Sequence, residues 1–408
     1  MLKKALVTIY MFISLSSFCQ NLDSLAFKNG IDRPSILSTH HFGIFSSRIN
    51  QNFKIAPNKA PVISANYTSG NTFHPFVEAY FPRDPEVREQ LRNTTWFNRG
   101  SIFNFTDQET TPADYTNIVI DAVIKEFRIS YSMPLAKAHE LGITIRAYSI
   151  SRGKYPLSIF TSDETIEWFH TNIAGGEDPF GRRFYGLNQV NLRYLDRNGR
   201  TLELNANDFF VGGIELNHFY YPKFLKNEAR KLYFNIGHHI GINTSKFNSA
   251  LDYGISINGV KTIILKNKNE FNFGVGSSLL RKNFINFNSN TVDLGNNLLL
   301  ATLEGHIEFT KYTKKKNYNA FGINYRIQSR FNKKEEAGYY TLTGLWQEIN
   351  GGWQNGIAKL YTALSDWSLI YTYGKPNYKL SLFLKQDLLV NNAPDFQTGI
   401  NLSIPINK

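Results

Sequence analysis

The stretch 298–331 reads LLLATLEGHIEFTKYTKKKNYNAFGINYRIQSRF, and its reading decides the fold. In the first half Leu299, Ala301, Leu303, Gly305, Ile307 and Phe309 alternate with Thr302, Glu304, His306, Glu308 and Thr310. In the second half Phe321, Ile323, Tyr325, Ile327 and Phe331 alternate with Asn324, Arg326, Gln328 and Arg330, and the lysine-rich stretch 312–319 joins the two. A period of two means a strand with one oily and one wet face. Such runs outlast the usual five or six residues of globular strands, and about ten tilted residues cross a bilayer's hydrocarbon. The pattern predicts an all-β, transmembrane, antiparallel up-and-down β-barrel with the apolar parity facing lipid.

The same alternation recurs outward from this hairpin. Phe127, Ile129, Tyr131 and Met133 precede a turn at 134–138, after which Leu141, Ile143, Ile145 and Ala147 resume it, and from Leu187 to Ile406 the chain reads as nearly continuous hairpins. The expected total is about 12–14 strands, with short turn helices in the loops. Closure around Lys315 and Lys316 places Glu304 beside Arg326, with His306 one rung away, so Glu304 and Arg326 are expected to form a structural pair. At 194–204 a three-residue loop with Gly199 in a left-handed bulge pairs Tyr194 with Leu202, Leu192 with Leu204 and Arg193 with Glu203. In the hairpin around 374–377, closure sets Tyr373 against Tyr378, Leu369 against Leu382 and Asp366 against Lys385.

The N-terminus supplies a compartment. Lys3 and Lys4 precede an apolar run from Ala5 to Phe18, and Ser17-Phe18-Cys19 gives the small-x-small pattern of a cleavage site, so 1–19 is expected to be a secretory signal peptide. Lipidation of Cys19 fits less well, because Phe18 stands where a small residue normally precedes a lipidated cysteine. Cys19 is the one cysteine of the chain, so a disulfide scaffold is excluded. Residues 20–50 read as an N-terminal arm or a poor first strand, and 51–408 as the barrel, with loop insertions at 82–114 and 152–186.

Composition agrees. With 42% hydrophobic residues and mean hydropathy −0.31, the chain does not resemble a helical membrane protein. Barrels hide their hydrophobicity on alternate residues, and 14% aromatics suits their girdles. The net charge of +12 is carried largely by lysines in turn positions (Lys266, Lys268, Lys314, Lys315, Lys316, Lys333, Lys334), so it reads as solvated turns rather than a nucleic-acid surface.

The densest chemistry outside the strands lies in 161–186, TSDETIEWFHTNIAGGEDPFGRRFYG. Ser162 or Asp163 can cap a short helix carrying Ile166 and Phe169, and a glycine-rich bend follows. Asp163, Trp168, His170, Glu177, Asp178, Arg182 and Arg183 are the candidate loop residues for binding or gating. The opposing reading is a turn helix whose His170 and Trp168 lock the loop onto the rim. The seven-residue spacing of His170 and Glu177 matches no metal motif, so no metal site is assigned. Together with Asp121, the strands around Met133-Pro134-Leu135, Ile166, Glu167 and the bend at 175–183, this segment resembles the uncharacterised bacterial family 3187 of domains of unknown function. The resemblance implies an outer-membrane barrel and brings no known activity.

Within the barrel, the expected lumen-facing polar residues are Glu304, His306, Arg326, Arg330 and His239, with Glu126, Arg128, Arg146, Arg193, Glu203, Glu308, Lys379, Lys385 and Asp387. In His238-His239 the parity selects His239, on one face with Asn235 and Asn243. A lipid hydrolase at His239 and Asn243 is the remote alternative, because no His-x-Ser occurs there. No catalytic residue, enzyme class or cofactor is assigned. The expected function is passage or binding of a small polar or amphipathic solute through a loop-restricted lumen in the outer membrane; the alternative is a non-transporting structural or partner-docking envelope protein. The expected partners are outer-membrane lipids, the unidentified solute and, during biogenesis, the barrel-assembly machinery, with no nucleic acid.

Overall fold

The computed structural model describes residues 28–77, 118–175, 187–333, 363–386 and 396–406, apart from 39, 155, 156, 197–199, 267, 289, 290 and 314–316. The expected signal peptide, the 82–114 insertion, Gly199, Lys314–Lys316, Asp387 and the loop residues Glu177, Asp178, Arg182 and Arg183 lie outside the described residues.

The alternating segments form strands β1 (Val62–Val77), β2 (Ile118–Ala136) and β3 (His139–Ser151). A short helix α1 (Asp163–Phe169) and the small strands β4 (Asn191–Leu195) and β5 (Thr201–Leu204) come next. Then come β6 (Phe209–Tyr220), β7 (Leu232–Ser245), β8 (Asn248–Ile264), β9 (Glu270–Asn286) and β10 (Leu299–Tyr312). The last are β11 (Tyr318–Gln328), β12 (Leu364–Lys375), β13 (Tyr378–Gln386) and β14 (Phe396–Pro405). β1–β3 and β6–β14 pair antiparallel in sequence order, and β14 pairs back onto β1, closing a barrel of twelve strands. Closure removes every free sheet edge from the ring. The hairpin β4–β5 hangs on the end of β2 and lies outside the ring, so the wall itself begins at Val62.

Parity holds along most of the wall. Leu303, Ile323, Leu369 and Leu382 are exposed on the outside, while Glu304, His306, Glu308, Asn324 and Arg326 are buried inside. An exposed apolar belt around a closed antiparallel wall matches a hydrocarbon layer and not water. The ends of the barrel differ. The connections at one end (the short-turn end) are 137–138, 221–231, 265–269, 313–317 and 376–377, whereas the other end (the long-loop end) has the tight turn 246–247 and is where the chain leaves Val77, Ser151 and Gln328 for its longest connections.

The β10–β11 register puts Glu304 opposite Arg326, as expected. The β4–β5 register matches too, with Tyr194 against Leu202 and Arg193 against Glu203. Its inward and outward faces are reversed from expectation, however: Leu192, Tyr194, Leu202 and Leu204 are buried and Glu203 is exposed. This hairpin sits beyond the wall, where water replaces lipid and the oily face turns inward. The β12–β13 hairpin is shifted by two residues from expectation, because pairing continues through Lys375 and Tyr378 and leaves only Pro376-Asn377 as the turn. A slip of two conserves faces, and Asp366 still approaches Lys385, at 3.9 Å.

Arg330 and Phe331 depart from the expected parity. β11 ends at Gln328, so Arg330 is exposed beyond the strand, and Phe331 turns inward, 2% exposed, to stack on His40 with ring centroids 4.1 Å apart.

Candidate functional site: a segment threaded through the lumen

Residues 28–61, expected to be in part an arm and in part the start of the wall, run inside the barrel. Lys28 sits beside Glu308 at the short-turn end, and the chain climbs to a 3-10 turn at His41–Phe45 near the other end. It then descends past Asp252, Glu126 and Glu140 to enter β1 at Val62. The segment lacks strand periodicity because its partners surround it, so no single face repeats.

Two kinds of contact hold it. At the long-loop end the attachment is apolar: Leu37, Phe42, Ile44 and Phe45 form one buried cluster with Tyr148, Tyr194, Phe247, Leu300 and Leu364. Here the inward wall residues are themselves apolar, and β4–β5 lids the cluster. Through the middle and lower lumen the attachment is polar. Arg33 forks the Glu304 carboxylate, Nε to Oε1 at 2.5 Å and Nη2 to Oε2 at 3.0 Å. Arg48 forks Glu126 in the same way, at 2.8 and 2.5 Å. The Ser47 backbone N–H and hydroxyl both donate to Asp252 Oδ2, at 2.9 and 2.5 Å. Lys54 bonds Glu140 at 2.6 Å, and Lys28 bonds Glu308 at 2.6 Å and Asp32 at 2.8 Å. Asp32 also accepts from Lys379 at 2.9 Å and from the Tyr318 hydroxyl at 3.0 Å. Paired, bidentate contacts of this kind make it possible to bury so many charges, because each of these carboxylates faces a cation or a hydrogen-bond donor.

The wall is recessed to receive the segment. A Cβ on Gly241 would lie 2.2 Å from Ser47 Oγ, and one on Gly254 would lie 2.5 Å from Ile49 Cδ1. Small residues at these inward positions leave room for a second chain inside the ring.

The candidates expected in the lumen divide by their partners. Glu304, His306, Arg326 and His239 face the lumen and are buried. The expected pair of Glu304 with Arg326 is not how Glu304 is neutralised: Arg33 takes its carboxylate, Asn324 donates at 2.8 Å, and Arg326 donates to Gln328 at 2.9 Å. His306 packs edge-on against Phe53 of the segment, centroids 6.0 Å apart.

His239 and Asn243 share the luminal face, as expected, and Asn243 bonds Arg146 and Asp252. His239 lies instead between two neighbouring strands, with Nδ1 2.6 Å from Asn217 Oδ1 and Nε2 2.8 Å from Ser256 Oγ. With Asn217 as acceptor, Nδ1 carries the proton and Nε2 accepts from the serine. Ser256 and Asn217 are 17 and 22 residues from His239. Only the register of three strands could have pointed to them.

The described part of the 152–186 loop does not enter the lumen. Asp163 accepts from Asn71 Nδ2 at 2.9 Å, and Thr161 meets Ser69 at 2.6 Å; both wall residues are on the outward parity of β1. Thr398 donates to the Ile159 carbonyl at 2.6 Å, and Gly153 presses on outward-facing Val123. α1 is capped by Ser162, and Glu164, near its start, sits beside Asn188. Burial works against the Glu164 charge, yet the Asn188 amide holds its carboxyl below the usual range. Trp168 is 56% exposed and His170 is half-buried at the end of α1.

No protein-family model matches the sequence, and no curated protein does. Among solved structures, the chain is similar to the outer membrane channel of Pseudomonas putida F1 (10% identity, TM-score 0.40), covering 88% of this chain and 100% of that one. It is similar to the NanC porin (9% identity, TM-score 0.38, covering 86% and 100%). It is also similar to LpxR from Salmonella typhimurium (8% identity, TM-score 0.37, covering 85% and 100%).

Proposed function

We propose that this chain is an outer-membrane β-barrel that passes a small polar solute and is held closed by its own residues 28–61. The observation that carries the reading is the polar character of the seal. Most of the lumen is occupied through ion pairs and hydrogen bonds to a hydrophilic wall, not through an apolar core that would exclude water with or without the segment. In this reading the short-turn end is periplasmic and the long-loop end extracellular, in keeping with the usual asymmetry of such barrels. Restriction of the lumen is, in this reading, the task of 28–61. The test is conductance in planar bilayers of the whole protein and of a variant lacking 31–56. The intact protein should be nearly silent and the deletion should conduct in discrete steps. A folded deletion variant without conductance would mean a structural or partner-docking barrel instead.

A second reading rests on one contact. Ser256, His239 and Asn217 have the order of a hydroxyl nucleophile, a base and its orienting group, which keeps a hydrolase acting on an ester open. A serine-directed fluorophosphonate should then label the 31–56 deletion variant and not its Ser256→Ala derivative. Absence of labelling in both removes this reading and leaves the first untouched.

A further inference from the structure

At the long-loop mouth, outside the polar lumen, lies a cavity of about 420 Å³, within the range of about 300–1,000 Å³ typical of small-molecule sites. Three cations line it, Arg200, Lys282 and Lys333, against one carboxylate, Asp293. Lys333 is 3.8 Å from Asp293, and the Arg200 guanidinium donates to the Thr291 carbonyl at 2.7 Å.

Lys282 is the informative residue. It is 3% exposed, its ammonium lies 4.0 Å from the centroid of the Phe331 ring, and among the described residues no hydrogen bond or ion pair engages it. The nearby Asp252 carboxylate is already taken by Ser47, Asn243 and the Asn283 N–H. A buried ammonium without an anion is costly, so this position favours a ligand that brings one.

A second observation concerns the same lining. The side-chain oxygens of Asn283 and Asn296 are buried and, among the described residues, have no hydrogen-bond partner. Asn248 and Asn286 add further amides, and Phe247 provides an apolar surface. Amide groups pair with hydroxyls as donors and acceptors, and an aromatic face beside them suits a sugar ring.

We propose that this cavity binds an anionic sugar, its carboxylate or phosphate held by Lys282 with Arg200 and its hydroxyls met by the asparagine amides. The proposal goes beyond passage through the lumen and does not rest on movement of 28–61, although Ser46 of the segment forms part of the lining.

The test is calorimetric titration of the full-length barrel in detergent with glucuronate, glucose 6-phosphate and glucose. At least one anionic sugar should bind, with glucose about tenfold weaker or more, as expected for loss of a charge-assisted contact. The two anionic arms separate carboxylate from phosphate recognition. Lys282→Met and Arg200→Gln should each weaken binding about tenfold, while Lys266→Met, an exposed lysine in the 265–269 turn at the opposite end of the barrel, should not. Heat-modifiable gel mobility reports that each variant is folded, and Arg200→Gln preserves the test if Lys282→Met is not. Binding of neither anionic sugar, equal binding of glucose, or full affinity in folded variants would each overturn the proposal.

Discussion

Glu304 and Arg326 stand directly opposite one another in the β10–β11 ladder, yet the Glu304 carboxylate is held by Arg33, a residue 271 positions away on the luminal segment. A cross-strand neighbour is therefore not the charge partner, and the wall is completed electrostatically by a chain that belongs to no strand.

Removing Arg33 alone should be costly, because it leaves a buried carboxylate partly unpaired; breaking a buried pair typically costs about 3–5 kcal/mol. In a double-mutant cycle, Arg33→Ala and Glu304→Ala should couple by about 1 kcal/mol or more, and Arg326→Ala with Glu304→Ala by less. Urea unfolding in lipid vesicles measures both. Equal coupling in the two cycles would contradict the geometry.

The lipid-facing parity predicts that Ile323→Arg and Val275→Arg destabilise the barrel in vesicles by about 2–4 kcal/mol. Glu203→Arg, on the exposed face of β4–β5, should stay within about 0.5 kcal/mol. The same unfolding assay separates them, and a large loss from Glu203→Arg would place that hairpin face wrongly.

Gly241 is expected to control the seal without touching its charges. Its Cβ position is 2.2 Å from Ser47 Oγ, so Gly241→Leu must displace Ser47 from Asp252. In bilayers this variant should show openings that the intact protein lacks. A silent, folded Gly241→Leu protein would show that the segment tolerates the intrusion.

The outer loop should behave as a membrane-contact element. Ile159 and Phe160 overhang an apolar groove of about 750 Å³ above Phe321, Leu369 and Ile400. Tryptophan placed at 160 in a background without other tryptophans should be quenched by brominated lipids. Deleting 164–173 should leave conductance unchanged, and an increase would return gating to this loop.

The amino-acid sequence determined the wall. Strand identity, the inward or outward direction of Glu304, His306, Leu303 and Ile323, and the hairpin pairings at β10–β11 and β4–β5 all come from a period of two and from turn length, which are local properties. The same locality explains the departures. Nothing within 194–204 says whether water or lipid lies outside it, so the faces of β4–β5 are the reverse of those expected, and nothing in 367–386 separates two registers that conserve parity. Arg330 leaves the lumen because β11 stops at Gln328, where the chain turns to bury Phe331 against His40, a residue far away in sequence.

The seal was beyond that reach. Residues 28–61 have no periodicity, since their contacts come from strands all around the ring, up to 359 residues away. Arg33 with Glu304, Arg48 with Glu126 and His239 between Asn217 and Ser256 are meetings that only ring closure creates. A strand's faces are fixed by its neighbours in sequence, whereas the contents of a barrel are fixed by which strands come to stand across the lumen from one another.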